Sequence, residues 1–135
     1  MTSKRNWTLT AAVAVLAGWL AVGLLGCGGN QSSPGVDAKE LERAFGLAHG
    51  AAPSEGDAPP AVASRAVAFL NAQSWINALS ILDWMRKYAN LTADQAHAVQ
   101  NAYANVSVRV TELAAKGNPE ARATLDRAKQ EADRR

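Results

Sequence analysis

From Ala61 onward, apolar residues recur every three or four positions with little interruption, and that periodicity leaves room only for helices. Residues 61–73 carry Val62, Ala66, Phe69 and Leu70 at this spacing. Residues 75–89 put Trp75, Ala78, Leu79, Leu82 and Met85 on one face, which Ile81, Trp84 and Tyr88 widen. A helix apolar over so wide an arc belongs near the centre of a small bundle. Residues 93–116 carry a longer seam of Ala96, Val99, Tyr103, Val106, Val110 and Leu113, whose alternating spacings of three and four suit nearly parallel or antiparallel helix packing. The last helix, residues 119–133, turns only Ala121, Leu125, Ala128 and Ala132 inward and is charged outside. No segment alternates apolar and polar residues over strand length, and the one dense β-branched run, 106–111, sits inside the helical seam.

The punctuation agrees with the periodicity. Ser74 is placed to cap helix 75–89. Thr92-Ala93-Asp94-Gln95 is a capping box, with Leu91 and Ala96 at the positions of a hydrophobic staple. Gly117 is the expected residue just past a helix end, and Asn118-Pro119 reads as an N-cap followed by proline in the first turn. Residues 36–49 form a further short helix, with Asp37 as N-cap, Glu40 three residues on, and a stripe of Leu41, Phe45 and Ala48. The Pro/Gly/Ser-rich stretch GAAPSEGDAPP, residues 50–60, reads as a linker. Isolated between breaks, helix 36–49 is expected to pack loosely or to await a partner. The fold class is therefore all-α, a small bundle of four to five helices with its main domain at 61–135.

The first 35 residues have another character. Lys4 and Arg5 precede residues 7–25, nineteen positions without a charge, about the length that spans a bilayer core as a helix. Leu24-Leu25-Gly26-Cys27 follows, and Cys27 is the single cysteine of the chain. Gly28-Gly29-Asn30-Gln31-Ser32-Ser33-Pro34-Gly35 has the composition of a flexible tether. The Leu-x-Gly-Cys junction after a basic start and an apolar run resembles the lipobox of bacterial lipoproteins, although Leu25 stands where a smaller residue is commoner. The resemblance implies cleavage between Gly26 and Cys27, diacylglycerol on the Cys27 sulfur, and a mature protein anchored to the bacterial cell membrane or outer membrane. Its domain would lie on the periplasmic or extracytoplasmic side. Acyl chains anchor at about 0.8 kcal/mol per buried CH₂, so two or three of them hold firmly. The expected organisation is then a signal peptide at 1–26, lipidated Cys27 and tether at 27–35, the short helix at 36–49, the linker at 50–60 and the domain at 61–135.

Residues 62–90 resemble one tetratricopeptide-type helical hairpin. Ala66 and Phe69 occupy the small and aromatic positions of that repeat's first helix, and Ala78, Leu82 and Met85 occupy the packing positions of its second. Val62 stands where the family has Trp, and Asn90 where it has Pro. A shift of about 34 residues finds no second copy, since Gln100 falls where a small residue belongs. The resemblance implies protein–protein interaction without catalysis. The layout as a whole, lipobox, tether and compact helical domain, is similar to that of many small envelope lipoproteins.

Side chains that carry chemistry are sparse. With residues 1–26 removed, basic and acidic residues are equal in number, a balance unsuited to neutralising nucleic-acid phosphates. His49 ends the first helix, His97 lies beside the long seam, and no metal-ligand spacing links them. Asp83 stands at i,i+3 and i,i+4 from Arg86 and Lys87, which reads as a surface ion pair. Ser64, Ser74, Ser80 and Ser107 are isolated on helices, with no nucleophile–base pattern. No cofactor is expected. Trp84 and Tyr88 remain, because helix 75–89 has more large apolar side chains than one face can bury, and they are the expected partner surface. Helix 36–49 is the rival for covering them. The leading expectation is a lipid-anchored, non-catalytic helical interaction module of the cell envelope, with an envelope protein as partner. The alternative is a structural lipoprotein bridging membrane and peptidoglycan; because the chain ends Asp133-Arg134-Arg135, it would do so without a C-terminal lysine linkage.

Overall fold

A computed structural model describes residues 33–134. The leader 1–26, the Gly26–Cys27 junction and residues 27–32 of the tether lie outside the described residues. Among the described residues the structure is all-helical: α1 (Pro34–Phe45), α2 (Pro59–Asn71), α3 (Trp75–Tyr88), α4 (Ala93–Ala115) and α5 (Pro119–Asp133).

The first helix differs from its expected form at both ends. It begins after Ser33 with proline in its first turn, where a missing N–H costs nothing. Asp37 is therefore no cap; it sits within the helix, buried, and accepts a hydrogen bond from Asn105 Nδ2 at 2.9 Å. The helix stops at Phe45 rather than at residue 49, because Gly46 adopts a left-handed φ of 65°. That conformation lets Leu47 N–H donate to Glu42 C=O and Gly46 N–H to Arg43 C=O, which satisfies the helix-end carbonyls. Ala48 is exposed beyond the end.

The first helix is also not loosely packed. Ala38, Leu41 and Phe45 are buried in the common core, and α1 packs along α2 and α4. The segment between α1 and α2 is fastened to α2: Ser64 Oγ accepts from Ser54 N–H at 2.8 Å, and Arg65 Nη2 donates to Gly56 C=O at 2.8 Å. Helix α2 opens on Pro59-Pro60, two residues earlier than periodicity alone indicates, again with proline where no intrahelical donor is needed.

Register fixes the topology. Asp37 meets Asn105 and Glu40 meets Asn101, so α1 and α4 run antiparallel. Arg86 meets Tyr103 while Trp75, at the start of α3, lies beside Leu113 and Lys116 near the end of α4, so α3 and α4 are antiparallel as well. The turn at residues 72–74 reverses α2 into α3. α1 packs on α2 and α4, and so does α3, while α1 and α3 make no packing contact among the described residues. The result is a four-cornered up-down-up-down bundle with α1 diagonal to α3 and α5 laid outside on α4 and α3. Leu41, Leu70, Leu82, Met85, Val99, Val106 and Val110 form its fully buried centre.

The long helix buries a different face from the expected seam. Val99, Val106 and Val110 are inside as expected, but Ala96 is exposed and Tyr103 and Leu113 are half-buried. Ala98, Ala102 and Ala114 are buried instead. The seam read from spacing serves one neighbour, whereas α4 has α3 on one side and α1 on the other. Small alanines allow two helices to approach α4 at once. With Ala96 exposed there is no staple, and Leu91 packs against the main core. The capping box itself is present: Gln95 N–H donates to Thr92 Oγ1 at 3.4 Å, and Thr92 N–H donates to Gln95 Oε1 at 3.1 Å.

Asn118 caps α5 by accepting from Ala121 N–H at 3.0 Å. Only Ala121 is buried on α5 and Leu125 half-buried; Ala128 and Ala132, expected inward, are exposed because α5 lies outside the four-helix core. Ser74 does not cap α3 through its side chain; its Oγ accepts from Asn77 Nδ2 at 2.9 Å.

Candidate interaction surface

The α3 residues divide by depth. Ala78, Leu79, Leu82 and Met85 point into the core, and Trp75, Ile76 and Ile81 are half-buried against it. Trp84 and Tyr88 are left outside, 37% and 72% exposed. They stand one helical turn apart with ring centroids 6.1 Å apart and planes inclined at 44°. Neighbouring aromatics at this separation attract one another, which fixes the relative placement of the two rings. Helix α1, the rival cover, occupies the diagonal corner of the bundle and leaves this face open.

The cations beside the pair are already engaged. Lys87 Nζ sits between the Asp83 and Glu131 carboxylates, 2.7 Å from Glu131, which ties α3 to α5. The hydrogen bonds it donates to those two carboxylates hold the ammonium well above its usual range. The Arg86 guanidinium lies 4.0 Å over the Tyr103 ring, a cation–π contact between α3 and α4. Arg109 lies away from the pair, beside Trp75 at the other end of α3, and pairs with Glu112 at 3.3 Å. The surface is thus an aromatic pair without a basic field around it, suited to an apolar anchor contact. The expected Asp83–Lys87 pair is present; its extension to Glu131 is invisible in sequence because the two residues are far apart in the chain.

The remaining candidates are dispersed. His49, expected as the last residue of the first helix, lies beyond its end and turns back so that Nδ1 is 2.9 Å from a buried Glu42 carboxylate. His97 Nδ1 lies 3.3 Å from Asn101 and 3.7 Å from Glu40. The described residues hold no cluster of metal-ligating side chains. The serine hydroxyls engage backbone or local groups: Ser64 donates to Ala61 C=O, Ser80 to Ile76 C=O and Ser107 to Tyr103 C=O.

A polar ladder between α1 and α4 escaped the sequence reading. Asn105 donates to Asp37, and Asn101 donates to Glu40 at 3.2 Å. Burial raises the Asp37 carboxyl above its ordinary range; the Asn105 hydrogen bond opposes this, and the nearby Glu40 charge adds to it. The only trace of the ladder in sequence is two asparagines spaced i,i+4 on a helix otherwise rich in alanine and valine. No described helix is long and apolar enough to cross a membrane. No family model, curated protein or solved structure matches the chain.

Proposed function

We propose that the protein is a lipid-anchored component of the bacterial cell envelope that acts as a non-catalytic helical interaction module, with Trp84 and Tyr88 as its partner contact. The observation that carries this reading is the exposed aromatic pair on α3. Aromatics are what a small domain usually places in its core, and here the core takes Phe45 with leucine, valine, methionine and alanine, and Phe69, Trp75 and Tyr103 against it, but leaves these two rings outside. Tyrosine and tryptophan left on a rigid helix face are the residue types that dominate binding energy at protein interfaces. The anchoring half of the reading is supported by the Leu24-Leu25-Gly26-Cys27 junction after an uncharged run.

Two measurements test it. A photo-crosslinking residue in place of Tyr88 should capture one discrete envelope protein, and Trp84→Ala should abolish the adduct without shifting the thermal melt. An adduct formed equally well from Thr111, on a different helix, would remove α3 as the partner surface. Mass spectrometry of the mature N-terminus should show acylated Cys27, and Cys27→Ser should leave the leader uncleaved. A mature chain that begins elsewhere or lacks acyl mass overturns the anchoring.

A further inference from the structure

Among the described residues the exposed large apolar side chains are Val36, Trp84, Tyr88 and Val108, and they fall in two places. Trp84 and Tyr88 are on α3. Val36 and Val108, 49% and 47% exposed, are on α1 and α4, on the other side of the bundle. The Glu40–Asn101 hydrogen bond sets their register. Val36 lies one turn before Glu40 on the same face of α1, and Val108 lies two turns after Asn101 on the same face of α4. Because the helices are antiparallel, both valines continue the same groove toward the α1 N-terminus.

The surroundings of this pair differ from those of an ordinary solvated face. The exposed stripe of α4 through Ala104, Val108, Thr111 and Ala115 carries no charge. Arg109 and Glu112, which flank it, neutralise each other. On α1, Lys39 and Arg43 line a shallow hollow with Val36 and Glu40, and neither cation makes an ion pair among the described residues. Arg43 also borders a second hollow with Glu40, Asp94 and His97. Val36 and the uncharged α4 strip, continued along α1 by these two cations, are complementary to a lipid surface: apolar groups enter the interface while basic side chains reach phosphate headgroups.

Chain length then selects the occupant. Cys27 and Ser33 are six positions apart, so a chain held by lipid at Cys27 enters α1 within about 20 Å of the bilayer. Val36 follows in the first turn of α1. The α3 aromatics lie across the bundle, beyond helices each about 10 Å in diameter. We infer that the α1–α4 outer surface, with Val36, Val108, Lys39 and Arg43, rests on the anionic lipid surface that holds Cys27 and turns Trp84 and Tyr88 outward. This rests on the anchoring proposed above.

The test uses the full-length acylated protein in vesicles containing anionic lipid and a brominated phospholipid quencher. Mature wild-type emission comes from Trp75 and Trp84, and it should be quenched by less than a tenth. Val108→Trp places a reporter on the docked surface, and its added emission should fall at least two-fold. Lys39→Glu combined with Arg43→Glu should reverse most of that quenching. Acylated protein whose Val108→Trp emission is unquenched, or whose Trp84 is quenched instead, overturns the orientation and leaves the anchoring intact. Absence of acyl mass at Cys27 overturns both. A quencher-independent blue shift of the Val108→Trp emission that grows with protein concentration would assign the surface to a second copy and overturn the proposal.

Discussion

Asp37 shows how one residue can carry a pH dependence for the fold. Its carboxyl is buried against α4, where the ionised form is disfavoured and Asn105 supplies one donor. With its folded value raised, the native chain takes up this proton at higher pH than the unfolded chain does. Stability from this site is therefore greatest below the ordinary carboxylate range and is lost as pH rises through the raised folded value. Asp37→Asn keeps an acceptor for Asn105 and removes the buried charge. It should raise the melting temperature at pH 7 and flatten the fall in stability as pH rises above the ordinary carboxylate range, as followed by thermal melts. A lower melting temperature at pH 7 would mean that the charge is compensated in place. Gln73 is the second residue of note, since it holds φ 55° at the α2 C-terminus where Gly46 and Gly117 serve the other two such turns. Its N–H donates to Leu70 C=O and Ser74 N–H donates to Phe69 C=O, the same turn without a glycine. Gln73→Gly should stabilise the domain by about 0.5–1 kcal/mol in urea titration, because the left-handed strain of a side-chain-bearing residue is removed.

At the scale of elements, α1 and α5 exchange the roles that hydrophobicity alone gives them. Helix α1 is short and flanked by breaks, yet Leu41 is fully buried and Phe45 nearly so. Leu41→Ala should cost about 2–5 kcal/mol, the range for a buried leucine whose cavity cannot collapse, and urea unfolding measures it. A loss below about 0.5 kcal/mol would return α1 to the loosely packed helix that its flanking linkers imply. In α4, Val106→Asp puts an unpaired carboxylate at a position 1% exposed. Such a burial costs several kcal/mol against a total of about 5–15, so the helical signal in circular dichroism should collapse. Helix α5 rests on Ala121, half-buried Leu125, the Lys87–Glu131 pair and the Arg122 Nε bond to Ala114 C=O at 3.0 Å. In hydrogen-exchange mass spectrometry its amides should exchange well before those of 99–110 in α4, since few buried contacts hold it closed.

For the molecule as a whole, the bundle separates two surfaces. The diagonal placement of α1 and α3 puts the first turn of α1 on one side and the aromatic pair on the other. The proposed anchoring and partner contact need this separation, and four packed helices supply it. The polar ladder of Asp37, Glu40, Asn101 and Asn105 sets the register of α1 on α4. A slip of one turn would break both bonds and leave the buried Asp37 without its donor, a loss of about 1–3 kcal/mol or more for a charged group.

The amino-acid sequence alone determined the helical class, the existence of the helices and most of their ends. The capping box at Thr92, the Gly117–Asn118 turn and the surplus of apolar residues on α3 were all legible, because periodicity and capping act within one or two turns of chain. Only the tertiary structure decided which faces are covered. Ala96 and Ala98 have the same composition, yet one is exposed and the other buried, because α1 docks beside Ala98. Asp37 looked like a cap and became a buried acceptor, since its donor Asn105 arrives from the far end of the domain. Trp84 and Tyr88 remained outside for the same physical reason: burial belongs to pairs of elements, and the helix that competed for them found its place at the opposite corner.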